Sequence, residues 1–172
     1  LGEDGVSPHL EKVDEKTLRL FYSSIKVKGI AVSLCDYQLN CEIQGSLERM
    51  SDLTIIETKD GVRRGYFVEL NPQTNQKDIF TAIFSEDGLS YSEKTPLGFP
   101  VDRDEIAWGV PDAVLIPNGL VRVYWTYTED KTSDEKLISA TSKTTKGIDF
   151  VMDPGYRLEN GYVDFEVIKA EE

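Results

Sequence analysis

Long apolar runs are missing from this sequence: nothing approaches the roughly 20 residues that a membrane-spanning helix needs. Positive charge is scarce. With 19 Lys+Arg against 31 Asp+Glu the net charge is −12, and no Lys/Arg cluster stands out. Nucleic acid and anionic membrane surfaces are therefore not expected as partners, because their phosphates would be repelled on average. Cysteine is almost absent. Cys35 and Cys41 fit no zinc spacing, and there is no second Cys/His pair to complete one. They read either as two small, buried or half-buried residues or as a local cross-hairpin disulfide. The disulfide would point to an oxidising compartment, extracellular or periplasmic. The glycines are dispersed and none opens a helix, which excludes a phosphate-binding loop. A serine-hydrolase triad would need the lone His9 as its base, and no nucleophile elbow supports it. Helical periodicity is also missing; the window Ser46 to Ser51 is the best candidate for a single turn.

What is present is alternation. Ala113 to Ile116 is a short apolar run, as expected for a strand covered on both faces. Asn118-Gly119 predicts a tight hairpin with positive φ at both central residues. Val121, Val123, Trp125 and Tyr127 then alternate with Arg122, Tyr124 and Thr126, the period of a half-buried strand. Trp125 reads as core.

Versions of this unit recur. In the first, Val6 to Leu10, Leu18 to Tyr22, Gly29 to Ser33 and Leu39 to Ile43 are the predicted strands. In the second they are Met50 to Ile56, Gly65 to Leu70, Ile79 to Ser85 and Leu89 to Lys94, with Asp60-Gly61 as a hairpin turn. The third adds Lys136 to Ser142 and a strand near Ile148 to Met152. A fourth opens at Tyr162 to Ile168. The acidic openings Asp52, Asp112 and Asp164 lie 60 and 52 residues apart, and the serines Ser33, Ser85 and Ser142 lie 52 and 57 apart. A period of roughly fifty suits propeller blades of four strands. The expectation is an all-β protein, a β-propeller of four-stranded antiparallel blades. About three blades at 5–45, 50–95 and 108–153 are followed by an extra strand at 162–170. A β-sandwich is the rival, but it does not explain the repeated internal order.

An acidic opening, an apolar inner strand, an Asn/Asp-Gly turn and an aromatic strand together resemble arabinanase- and sialidase-type β-propellers. Ser85-Glu86-Asp87-Gly88-Leu89-Ser90-Tyr91 looks like the hairpin these proteins place between third and fourth strands, a relative of the sialidase Asp-box. Gly147-Ile148-Asp149-Phe150 is a looser copy, and Ser33 to Leu39 lacks the glycine. The resemblance implies carbohydrate as the ligand. It also implies carboxylates converging on an axial funnel, where one attacks or activates water and a protonated one assists the leaving oxygen. The matching positions are Ser7, Asp52, Asp112 and Asp164, with Glu166 further along the same strand face. Ser7 cannot act as a general base. Clustered carboxylates raise one another's pKa, which would keep one protonated near neutrality.

Each acid has a structural alternative, since Asp at a strand opening commonly caps a turn. Trp108 beside Arg103 and Glu105 has the composition of a sugar subsite, or else Trp108 packs within a blade. His9 falls near the axis, either hydrogen-bonded within its strand or beside an axial calcium ion of the kind the resemblance allows. No other cofactor is expected. Three units and one strand would leave open blade edges, so the expectation is a homo-oligomer or part of a longer chain. The functional expectation is a glycosidase-like propeller that binds or processes carbohydrate; the alternative is a non-catalytic glycan- or protein-binding propeller.

Overall fold

Strands form wherever the sequence alternates. The computed structural model describes residues 5–73, 75–99, 106–128 and 134–159, with Phe165 and Val167; for residues 106–108 and 110 only the backbone is described. Among these residues there is no helix, and twelve strands make three separate four-stranded antiparallel sheets. The first sheet is β1 (Gly5–Lys12), β2 (Thr17–Ser24), β3 (Gly29–Asp36) and β4 (Cys41–Glu48). The second is β5 (Met50–Glu57), β6 (Arg63–Asn71), β7 (Gln76–Phe84) and β8 (Tyr91–Pro96), and the third is β9 (Ile106–Leu115), β10 (Val121–Thr128), β11 (Lys136–Ser142) and β12 (Phe150–Met152). Each is an up-and-down meander in chain order. β5 lies against both β1 and β9, so the first strands are innermost, while β8 is exposed along its whole length. These are blades of a propeller.

The blades are held by two apolar layers. Phe21, Ile30, Val32 and Leu47 of the first blade pack on Leu53, Ile55, Phe67 and Phe80 of the second. Tyr66 and Ile79, on the other face of the second blade, meet Ala113, Val121, Val123 and Trp125 of the third. The middle blade is thus apolar on both sides, which explains why β6 and β7 read as continuous apolar runs. Trp125 is buried and stacks on Phe99 with ring centroids 4.4 Å apart. A charged tie also crosses between blades, where Arg63 of β6 bonds Glu11 of β1 and the carbonyl of Ser85.

Several local expectations change. Ser46 to Ser51 is no helical turn: Arg49 alone joins β4 to β5, at φ 67. Leu47 and Met50 on either side of it are both buried, and a one-residue left-handed reversal serves both better than a helix would. At Asn118-Gly119 only Gly119 has positive φ. The Gly119 N–H donates to the Ile116 carbonyl at 2.8 Å, a type I turn closed by a left-handed residue, with Pro117 at the position that favours it. Thr58 to Gly61 and Ser85 to Gly88 repeat this geometry, and in the first blade Leu39 takes the left-handed place at φ 62 without glycine. The β10 alternation also breaks. Thr126 is fully buried because the β9–β10 register shifts there, and its hydroxyl donates to the Gly109 carbonyl at 3.1 Å. Leu115 on β9 is 38% exposed, so the end of that strand is not covered on both faces.

Cys35 and Cys41 form a disulfide that staples β3 to β4, rather than standing as separate thiols. Their seven-residue loop is short. Replacing both by serine is expected to cost about 2 kcal/mol and to lower Tm by about 4–8 °C, measured by calorimetry with and without reductant. The extra strand at 162–170 lies outside the described residues, apart from Phe165 and Val167.

Candidate functional site

The first strand of every blade is bulged near its start. In β1 the register jumps between Val6 and His9, in β5 between Ser51 and Thr54, and β9 pairs Gly109 with Thr126 and Asp112 with Tyr124. Two residues of the inner strand stand opposite one of its neighbour, so each bulge adds one residue and turns the chain sharply. Superposing the bulges aligns Ser7 with Asp52 and Val110, and His9 with Thr54 and Asp112. The sequence reading that paired Asp112 with Asp52 is therefore displaced by two residues. The bulge lies closer to the start of β1 and β5 than to the start of β9, and spacing alone does not show this. Ser7 and Asp52 share a left-handed backbone, at φ 49 and φ 53.

Asp52 is half-buried at the junction of all three blades. Its N–H donates to Ser23 Oγ of the first blade at 3.0 Å, and its Oδ2 accepts from Ser51 Oγ at 3.0 Å. Across the junction its carboxylate lies against Gly109 of β9, where an added Cβ would sit 2.8 Å from Oδ2. Glycine is required there twice over, since its φ of 132 is one that side chains rarely adopt.

Asp112 is held differently. Its Oδ1 accepts the Ala113 N–H at 2.8 Å and the Thr54 hydroxyl at 3.2 Å, and its Oδ2 accepts the Val167 N–H at 2.5 Å. This carboxylate ties its own strand, the second blade and the C-terminal segment together. His9, at the equivalent place, accepts the Ile55 N–H through Nε2 at 3.2 Å. The same nitrogen lies 3.9 Å from Glu11. The histidine stitches the first blade to the second. Among the described residues no three His, Cys, Asp or Glu gather in one place.

Of the residues singled out from sequence, the structure brings Asp52, Asp112 and His9 to one end of adjoining inner strands. Asp164, Glu166, Arg103 and Glu105 lie outside the described residues, and so does the Trp108 side chain, although its backbone is in β9. Sequence matching adds one relation. Asp164-Phe165-Glu166-Val167 runs parallel to Asp52-Leu53-Thr54-Ile55. Val167 gives its N–H to Asp112 just as Ile55 gives its own to His9. Ser23, Ser51, Thr54 and Gly109 went unremarked in the sequence, because small polar residues on alternating strands carry no signal of their own.

A second acidic pair was also missed. Glu69 and Asp78 face each other on β6 and β7. Glu69 is neutralised by Lys94, whose Nζ lies 2.8 and 2.9 Å from its two oxygens. Burial pushes the Asp78 carboxyl above its ordinary value, against hydrogen bonds from Asn71 and the Ile79 N–H. A raised carboxyl pKa means that the folded state holds the proton more tightly. Its stabilising contribution is present below the unfolded value near 3.8 and is lost as pH rises through the folded value. Asp78→Asn is therefore expected to be more stable than the wild type at pH 7 and to lose that advantage at pH 3.5, measured by urea unfolding at both.

No family model matches the sequence, and no curated protein does. Solved structures do. An endo-1,4-β-xylanase from Bacteroides thetaiotaomicron superposes with a TM-score of 0.66 at 18% identity, covering 88% of this chain and 54% of its own. An endo-arabinase from the same organism gives 0.67 at 14% identity, covering 87% and 61%. A thermostable family-43 glycoside hydrolase gives 0.65 at 12%, covering 88% and 54%. This chain spans little more than half the length of the structures it matches. It has the arabinanase-like β-propeller fold that these glycoside hydrolases share, and contains three of its blades.

Proposed function

We propose that the chain is a carbohydrate-binding portion of a glycosidase-type propeller, with the sugar seated where the inner strands begin. The observation that carries this reading is Asp52. Its carboxylate is fixed at the blade junction by Ser51 and faced by a glycine, and among the described residues it takes a single side-chain donor. Acceptor capacity is left for sugar hydroxyls. Asp112, satisfied by three donors from three segments, is a positioning residue that sets the angle between blades. Hydrolysis needs two carboxylates flanking the scissile bond. Glu166, at the sequence register of Asp112, is the second acid this reading supplies. The engagement of Asp112 and the serine at position 7 favour binding over turnover by this chain alone.

The xylanase and endo-arabinase names suggest the first probes, xylo- and arabino-oligosaccharides. Calorimetric titration is expected to show binding by the wild type that Asp52→Asn weakens at least about tenfold, the loss of one charged hydrogen-bond acceptor. Asp112→Asn should chiefly lower Tm. Equal affinity in wild type and Asp52→Asn, or no binding by either, would overturn the reading. The outward face of the first blade exposes Leu10 and Ile43, 50% and 64% accessible. A further blade, from a second copy or a longer chain, would stack there, and light scattering over a concentration series tests the first of these. Folding in an oxidising compartment follows from the disulfide.

A further inference from the structure

Between the first and second blades, at the end where the inner strands begin, lies a cleft of about 560 Å³. Its walls are apolar, and three of the residues forming them are open to solvent: Val6, Ile25 and Leu70 are 62, 84 and 54% exposed. Around them stand Lys28, Arg49 and Lys77, all exposed. The one acid among the lining residues, Glu69, is already neutralised by Lys94. In a chain of net charge −12, this cleft gathers positive charge that is scattered along the sequence.

The cations are positioned by the backbone. Arg49 is the single residue joining the two blades, and its N–H donates to the Lys28 carbonyl at 3.1 Å. Both residues hold left-handed conformations, at φ 67 and φ 52. Among the described residues neither Lys28 nor Arg49 forms an ion pair. At the inner end of the cleft are Ser23 and Ser51, the two serines that hydrogen-bond Asp52. The cleft thus adjoins Asp52 through these two serines.

We infer that this cleft is a subsite for an acidic sugar. A saccharide extending outward from Asp52 sets a uronate carboxylate against Lys28, Arg49 and Lys77. The C–H faces of its ring lie on Val6, Ile25 and Leu70. A neutral sugar would leave Lys28 and Arg49 without a charged partner. A polyphosphate chain long enough to leave the cleft would meet the acidic remainder of the surface. The inference rests on the axial binding reading and adds the chemical class of its ligand.

The test compares a xylo-oligosaccharide carrying a glucuronic acid branch with the same oligosaccharide lacking it, titrated into the whole chain at low and high salt. The acidic probe is expected to bind about tenfold tighter at low salt, as three exposed charge contacts would give together. That advantage should shrink in 0.5 M salt, where exposed charges are screened. The pair Lys28→Gly and Arg49→Gly keeps the left-handed backbone while removing two charges. It should bring the acidic probe down towards the neutral one and leave the neutral affinity unchanged. Equal affinities in the wild type, or an acidic advantage that survives the pair, would overturn the subsite while the axial reading stands. Binding of neither probe would overturn both.

Discussion

Phe67→Ala is expected to remove about 3–5 kcal/mol of stability, a large share of the roughly 5–15 kcal/mol that holds a domain together. Phe67 is fully buried and belongs to the core layer shared by the first two blades. Its ring stacks on Phe80 at 6.1 Å and meets Phe84 edge-on at 6.2 Å. The cavity left by alanine has little freedom to collapse. The preceding residue, Tyr66, is locked into the opposite layer and donates its hydroxyl to the Gly147 carbonyl at 2.9 Å. The middle blade is clamped from both sides. Urea unfolding measures the loss. Leu70→Ala, at a position 54% exposed on the same strand, should change little by comparison. A loss below about 1 kcal/mol for Phe67→Ala would mean that the blades are not packed as described.

Gly109→Ala is expected to have the largest effect on binding. The new Cβ would meet the Asp52 carboxylate at 2.8 Å, and the backbone at φ 132 is strained for any side chain. The strain is of order 1–3 kcal/mol. The carboxylate, pushed from its place between Ser51 and the glycine, should lose at least about tenfold in oligosaccharide affinity. The two causes can be separated. Adding Asp52→Ala to Gly109→Ala relieves the clash but not the backbone strain, so the double variant should melt above Gly109→Ala yet below Asp52→Ala, and bind no better than either. A Gly109→Ala protein with wild-type affinity would show that the Asp52 carboxylate does not contact the sugar.

The strands and their repetition were legible in the sequence because period-2 alternation is imposed residue by residue. Val121 and Val123 announce a core face without reference to anything distant. The register of the candidate site was not legible. A bulge adds one residue to a single strand, and nothing in Val6-Ser7-Pro8-His9 or Ser51-Asp52-Leu53-Thr54 marks where it falls. Asp112 was consequently matched with Asp52 when its place is that of His9 and Thr54. The cleft was hidden for a related reason. Lys28, Arg49 and Lys77 stand 21 and 28 positions apart in the chain, and only the stacking of two blades brings them to one opening. Glu69 and Asp78 likewise became a pair through the β6–β7 register. The disulfide was left open because seven residues suit both a paired hairpin and two unrelated thiols. Pairing of β3 with β4 sets Cys35 directly opposite Cys41 and decides it.

The most direct test of the account is a backbone amide NMR titration with a neutral xylo- or arabino-oligosaccharide. The predicted shifts fall on Ser51, Asp52 and the Gly109 to Ala113 stretch, with Ile55 following through its bond to His9, and they vanish in Asp52→Asn. Shifts confined to the outer strands β4, β8 and β12, or no shifts at saturating sugar, would contradict a sugar seated at the blade junction.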